Sequence, residues 1–341
     1  MSIHQLFCLP IFLFLSLLVA PKAFSQNTIS DEPAPFKPGG YYIAAVTDER
    51  AEKKPVAEGI TLASIRKYFT QHVQKDTSET PVVITIKALI LTETPYGNGV
   101  DGQIKLHLAF GLEKNYGVEP LTDYRGALSY KRSAGNKAAM ERDVGSILRA
   151  SLVYFNDWIQ SNADSNRKLA KNVKISFTDY TEDLEGDTIY YSTKRPLTWS
   201  DFQSRNPPSS HFMALVMPSL GYTQEAKLID GTIQVKIAVK AFLPKSACYA
   251  DVTGRDAYTL NHEQRHFDIV KIISEQFKQK ILAKPLTPDT FEAIINIQYL
   301  DSFRDMNTMQ KAYDKETSHG INKAAQEEWN QRIDKELKSF K

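Results

Sequence analysis

A chain of 341 residues, with 42 lysines and arginines against 40 aspartates and glutamates, is long enough for two domains and has no charge excess to draw it to nucleic acid. Its 11% aromatic content suits a packed globular protein and argues against disorder. Two cysteines, one of them in a leader, rule out a disulfide framework.

Residues 6–20 form an apolar run apart from Pro10 and Ser16, followed by small residues at Ala23 and Ser25 where a signal peptidase reads. Residues 1–25 are therefore expected to be a signal peptide, although Met1, Ser2, Ile3, His4 and Gln5 lack the usual basic charge. The run is too short to span a bilayer comfortably. The expectation is a secreted or periplasmic protein with no membrane span after cleavage. Cys8 leaves with the signal, so Cys248 remains alone, without a Cys-His pattern around it; it reads as a small core residue. Residues 27–39, rich in Pro, Asp and Ser, read as a loose leader.

A first α+β unit is expected over residues 40–161 in the order β-α-β-β-β-α. Residues 41–46 read as a strand. Leu62, Ile65, Phe69 and Val73 recur at helical spacing. Residues 82–92, 104–111 and 124–132 read as three further strands, with a Gly- and Asn-rich hairpin loop over 95–102. Met140, Val144, Ile147, Leu148, Phe155 and Trp158 mark a long amphipathic helix. Such an order predicts a small sheet with helices on one face. Nothing in this unit carries chemistry; His72 and His107 are isolated and read as packing or surface residues. Residues 162–172 are polar and read as a linker.

The second unit, residues 173–341, opens with short strands near 173–178 and 188–191. Trp199 and Phe202 are expected to anchor a turn onto the core. A hairpin follows, with Asp230-Gly231 as its turn and Ile233, Val235, Ile237 and Val239 alternating with polar residues. One face of it is therefore buried, and the strand of Ile233 reads as a sheet edge along which an extended peptide can lie. Residues 260–281 read as a helix, with Thr253 and Asp256 as its capping box. Thr287 and Pro288 are expected to open another helix that runs to Thr317 and is broken at Gly320. Ala325, Trp329, Ile333 and Leu337 mark the last one. Strands preceding helices is again an α+β signature.

His262-Glu263-Gln264-Arg265-His266 reads H-E-x-x-H within the helix of residues 260–281. Two imidazoles four residues apart lie on one helix face and can grip one Zn2+, with the intervening glutamate in reach of a water. Leu260, Phe267, Val270, Phe277 and Ile281 form an apolar stripe on the same helix, so the context fits. The expected chemistry is metal-assisted hydrolysis of a peptide or protein substrate, with Glu263 as general base. Two rivals stand beside it: a non-enzymatic envelope-binding protein with a structural or vestigial zinc site, and a hydrolase of a cell-wall amide.

Catalytic zinc needs a third protein ligand and an open position. The metzincin extension would place Gly at 269 and His at 272, where this chain has Ile269 and Ile272, so that class is excluded. Three stretches instead resemble a bacterial family of otherwise uncharacterised proteins described as zinc-dependent proteases: residues 197–202 (Leu-Thr-Trp-Ser-Asp-Phe), residues 261–269 around the central motif, and residues 313–320 (Tyr-Asp-Lys-Glu-Thr-Ser-His-Gly), followed by Gln326 and Trp329. The resemblance covers about residues 173–341 and implies a zincin-like domain, pictured here with an antiparallel sheet, and a zinc hydrolase. It implies no substrate. The third stretch offers Glu316 and His319 as ligands. A bare helical hairpin turning at Pro285 sets Met306 opposite His266 and leaves residue 319 about two turns further on, which favours Glu316. A residue at a helix end beside Gly320 can turn inward, which favours His319. His319 is the expected third ligand, with Glu316 next and Asp314 and His211 behind. Asp268 is a candidate to hold a ring N–H of a ligand histidine, against a surface role. Tyr313 is a candidate donor to an oxyanion, against packing.

Overall fold

The computed structural model describes residues 36–340 apart from 54–55, 58–59, 181–185 and 207–212. The expected signal peptide and His211 lie outside the described residues.

The architecture is α+β, with two hydrophobic clusters. In the first, β1 (Tyr41–Asp48) is joined through α1 (Leu62–His72) to β2 (Thr80–Tyr96), and the two strands pair in parallel. Thr61 caps α1, with Ser64 completing the box. Two antiparallel strands follow, β3 (Gly99–Lys114) and β4 (Gly117–Ser133), giving the order β1-β2-β3-β4. These strands run longer than their apolar stretches suggest. The expected 95–102 loop is itself strand apart from a two-residue turn at Gly97 and Asn98, because residues 93–96 pair with 99–102 through the backbone whatever their side chains. α2 (Lys137–Asn162) lies against β3 and β4, burying Met140, Val144, Leu148, Leu152 and Phe155.

The second cluster is built on β9 (Thr232–Pro244). Before it come β5 (Asn172–Asp179), β6 (Thr188–Tyr190), β7 (Ala214–Leu215) and β8 (Ser219–Ile229), and after it β10 (Tyr249–Ala250). Ile233, Val235, Ile237, Val239, Ala241 and Leu243 alternate inward, as the pattern requires. Two corrections follow from the pairing. β5 runs parallel to β9 while β6 and β8 run antiparallel to it, so the sheet is mixed rather than antiparallel. β9 is also not an edge: over residues 232–239 β5 pairs with one side and β8 with the other. Alternation reports a buried face and is silent about whether the two edges are bonded.

Against β9 lies α3 (Ala257–Leu282), flanked by α4 (Phe291–Thr317) and α5 (Lys323–Ser339). α3 is enclosed on most sides, which explains why Phe267, Ile269, Val270, Ile272, Ile273 and Phe277 are all buried. α4 starts at Phe291 and not at Pro288; residues 287–290 form a turn in which Thr290 N–H donates to Thr287 O at 3.1 Å. Lys114 of the first unit pairs with Asp289 of the second at 2.8 Å, and Lys168 in the segment between them pairs with Glu119 at 2.8 Å.

Candidate metal centre

Asp256 caps α3 by accepting Thr259 N–H at 2.7 Å, while Thr253 binds Asp251 instead of sharing the cap. His262, Glu263 and His266 follow in the next turns. The stretch 197–202 braces this part of the helix from outside. Asp201 closes a capping box on Thr198 and is paired with Arg195 at 2.5 Å. The Leu197 N–H donates to Gln264 Oε1 at 2.8 Å, and Gln264 Nε2 donates to Asp268 at 2.8 Å. Asp268 also accepts from Tyr191 at 3.0 Å and Arg265 at 2.9 Å. It therefore anchors the helix to its surroundings, and the ring partners are other residues.

Those partners are two glutamines, and each fixes a tautomer. Gln310 Nε2 donates to the His266 carbonyl at 2.9 Å, so its Oε1 faces the ring and accepts from Nδ1 at 2.5 Å. Arg265, which can only donate, meets Asn330 Oδ1 at 3.0 Å. Gln326 Nε2 donates to that same oxygen at 3.1 Å, which leaves Gln326 Oε1 to accept from His262 Nδ1 at 2.8 Å. Both imidazoles thus carry their proton on Nδ1 and turn Nε2 inward as a lone-pair donor.

The two Nε2 atoms converge on one oxygen of α4. Asp314 Oδ1 lies 3.0 Å from His266 Nε2 and 3.5 Å from His262 Nε2. Among the described residues, these three form a group whose ligand atoms all lie within 4.8 Å of one another. Three lone pairs facing each other in a partly buried site repel unless a cation lies among them. Burial works against both charges, yet the two histidines hold the Asp314 carboxyl far below its ordinary range, and Asp314 with Glu263 lifts His266 above its own. The same carboxylates and lone pairs that favour a proton there can also hold a cation. Among the described residues, the donor set of two imidazoles and one carboxylate fits Zn2+ and would leave a fourth coordination position free.

Glu263 is 3% exposed, and its Oε2 is buried without a hydrogen-bond partner. Burial pushes its carboxyl up, partly offset by His266 and His262, and the Val216 N–H donates to it. It is not one of the three grouped ligands. It lines the same cleft of about 780 Å3 as His262, His266 and Asp314, as a general base must.

The remaining sequence candidates are placed elsewhere. His319 sits on the cleft rim, half exposed, with Nδ1 3.5 Å from Asp314 Oδ1. Its ring belongs to the carboxylate's surroundings and lies outside the three-residue group. Glu316 turns to α5 and accepts from Trp329 Nε1 at 2.8 Å. Tyr313 is fully buried, stacks on the His262 ring at 4.8 Å and donates to the His262 carbonyl at 3.2 Å, so it packs and does not face the cleft. Gln310 and the Val216 N–H went unnoticed in the sequence. One signal for the first was available: Gln310 and Asp314 repeat on α4 the four-residue spacing of the histidines on α3.

The chain leaves α4 through three consecutive left-handed residues, Ser318, His319 and Gly320, at φ 50, 53 and 83°. Gly320 passes beside His262, and a Cβ there would lie 3.4 Å from His262 Cγ and Nδ1. Its carbonyl accepts from Tyr258 at 2.6 Å.

No protein-family model matches the chain, and no curated protein matches it in sequence. Among solved structures, a minor lipoprotein from Acinetobacter baumannii is similar at 12% identity and a TM-score of 0.22, with 35% of this chain and 93% of that chain covered. Among the described residues, no helix is long and apolar enough to cross a membrane.

Proposed function

We propose that this chain is a zinc-dependent peptidase of the cell envelope, exported by residues 1–25 and built on a zincin-like domain. One observation carries the reading: His262 Nε2, His266 Nε2 and Asp314 Oδ1 converge beside a buried Glu263 whose Oε2 has no partner. Zinc held by these three ligands would acidify a water in the cleft and polarise a scissile carbonyl. Glu263 takes the proton of the attacking water and delivers it to the leaving amine. Gln310 and Gln326 hold the imidazoles so that neither loses its orientation during turnover. The segment from Met213 to Ser219, which lines the cleft opposite α4, takes over the role of peptide rest that β9 cannot fill.

A structural or vestigial zinc site in an envelope-binding protein would call for four protein ligands and no access. Among the described residues the cluster has three ligands and opens on a cleft, which supports the enzyme. Zinc-loaded protein, residues 26–341, should hydrolyse casein or the stem peptides of purified peptidoglycan, and Glu263→Gln should keep zinc and fold while losing that activity. Which of the two substrates is cut separates proteolysis from cell-wall amide hydrolysis. A wild-type protein inert on both, or a Glu263→Gln variant as active as wild type, would overturn the proposal.

A further inference from the structure

The cleft carries apolar side chains at more than one place, Met213, Leu215 and Ile321 among them. Its far wall runs lengthwise along α3. Met213 O accepts from Asp251 N–H at 2.8 Å near the start of the helix, Val216 N–H reaches Glu263, and Leu220 O accepts from Tyr299 on α4 at 3.1 Å. Met217 and Pro218 therefore lie between the general base and the α4 face that carries Phe303 and Met306. At this end, on the His266 side, Met217, Pro218, Phe303 and Met306 make a largely apolar corner, with Ser219 and Asn307 as polar neighbours in the lining. Met217 is 60% exposed at its mouth, while Met306 is 3% exposed at its base. No lysine or arginine lines the cleft among the described residues, and its only acids are Glu263 and Asp314. Three of the chain's six methionines, Met213, Met217 and Met306, line it.

We infer that this corner is a side-chain pocket for a large, uncharged apolar residue of the polypeptide next to the bond that is cut, with Met217, Phe303 and Met306 as its specificity-determining residues. The inference rests on reading the cleft as a peptidase site. Burying leucine or phenylalanine there removes apolar surface from water on both partners. An aspartate in the same place loses hydration and meets no counter-charge, and a lysine loses hydration with no acid in the corner itself. Methionine is unbranched and adapts its shape, so the pocket accepts leucine, methionine and phenylalanine alike instead of selecting one.

The test uses zinc-loaded Glu263→Gln protein and fluorescein-labelled, end-blocked peptides of glycine, serine and alanine with one central residue X. Anisotropy titration should show X = Leu or Phe binding about tenfold tighter than X = Ala, with Lys and Asp weaker still. Met217→Asp changes a solvent-exposed side chain and leaves the core intact; it should abolish the preference for Leu and favour Lys. Equal affinity for all X, no binding at all, or a Leu preference untouched by Met217→Asp would overturn the pocket. Wild-type protein with the same peptides separates the two claims. Cleavage without preference at X sinks the pocket and leaves the peptidase standing, whereas Leu-selective binding without cleavage does the reverse.

Discussion

Arg265 sets the tautomer of His262 through two intervening amides. The guanidinium makes Asn330 Oδ1 an acceptor, Asn330 turns the Gln326 amide, and the Gln326 oxygen takes the Nδ1 proton of His262. Two residues of the H-E-x-x-H stretch, His262 and Arg265, are thereby coupled through α5. Gln326→Leu removes the oxygen and should weaken zinc binding by about 10- to 100-fold. Gln326→Glu keeps an acceptor at that point and should lose about tenfold or less. Competition against a chromophoric chelator at fixed pH measures both. A leucine variant that binds zinc as wild type does would mean that the relay orients nothing.

The ligand set makes a sharper prediction. Asp314→Ala should lower zinc affinity by more than about 100-fold, as should His262→Ala or His266→Ala, since each removes a donor outright. Glu316→Ala should leave affinity within about twofold, because that carboxylate is engaged with Trp329. His319→Ala should also retain zinc, with a loss below about tenfold, because the ring touches Asp314 from the rim. Elemental analysis after dialysis, followed by titration, distinguishes these outcomes. Zinc lost in His319→Ala and kept in Asp314→Ala would restore the expectation drawn from the sequence.

The hairpin register drawn from the sequence is off by one helical turn. A hairpin turning at Pro285 sets Met306 against His266, but residues 287–290 are spent on a turn, α4 begins at Phe291, and Gln310 stands against His266 instead. The shift is four residues, about 6 Å along the helix, and it brings Asp314 level with His262. Thr287 and Pro288 are a good N-terminal pair, and nothing local shows that Thr290 will be the N-cap. The α3 helix and its histidines were legible because their signal lies within one element. The mixed sheet was not, since β5 and β9 are distant in sequence and a parallel pair has no turn to announce it.

Cys248 should be chemically silent in the folded protein. It is fully buried, its thiol donates to Pro244 O at 3.1 Å, and burial pushes its pKa up to about 12. The thiolate is the reactive form, so at about pH 8 an aromatic disulfide reagent should find no reactive thiol in native mature protein and one after denaturation. The sign of the linked stability follows. The folded pKa lies above the unfolded one, so this contribution is full below about pH 9 and is lost as pH rises toward about 12. Cys248→Ser should show a smaller fall in denaturation midpoint over that window than wild type does. Rapid labelling of the native protein would place the thiol nearer solvent than the packing allows.

Gly320→Ala should damage the metal site through the backbone. At φ 83° an alanine is strained by about 1–2 kcal/mol wherever it has room. The added carbon would also lie 3.4 Å from two atoms of the His262 ring, at the near limit of ordinary van der Waals contact. Neighbouring Ser318 and His319 are already left-handed, so the segment has little freedom to absorb a shift. Two ways of yielding remain. The His262 ring tilts, which moves Nε2 away from Asp314 and weakens zinc binding, or the exit from α4 moves and strains the bond from Tyr258 to the Gly320 carbonyl. Thermal melts with and without zinc separate them. A tilted ring predicts a modest loss of stability in apo protein and a much reduced stabilisation by zinc, since only the bound state demands the correct ring position. A displaced segment predicts equal losses with and without the metal. An alanine variant indistinguishable from wild type in both melts would contradict the close approach itself.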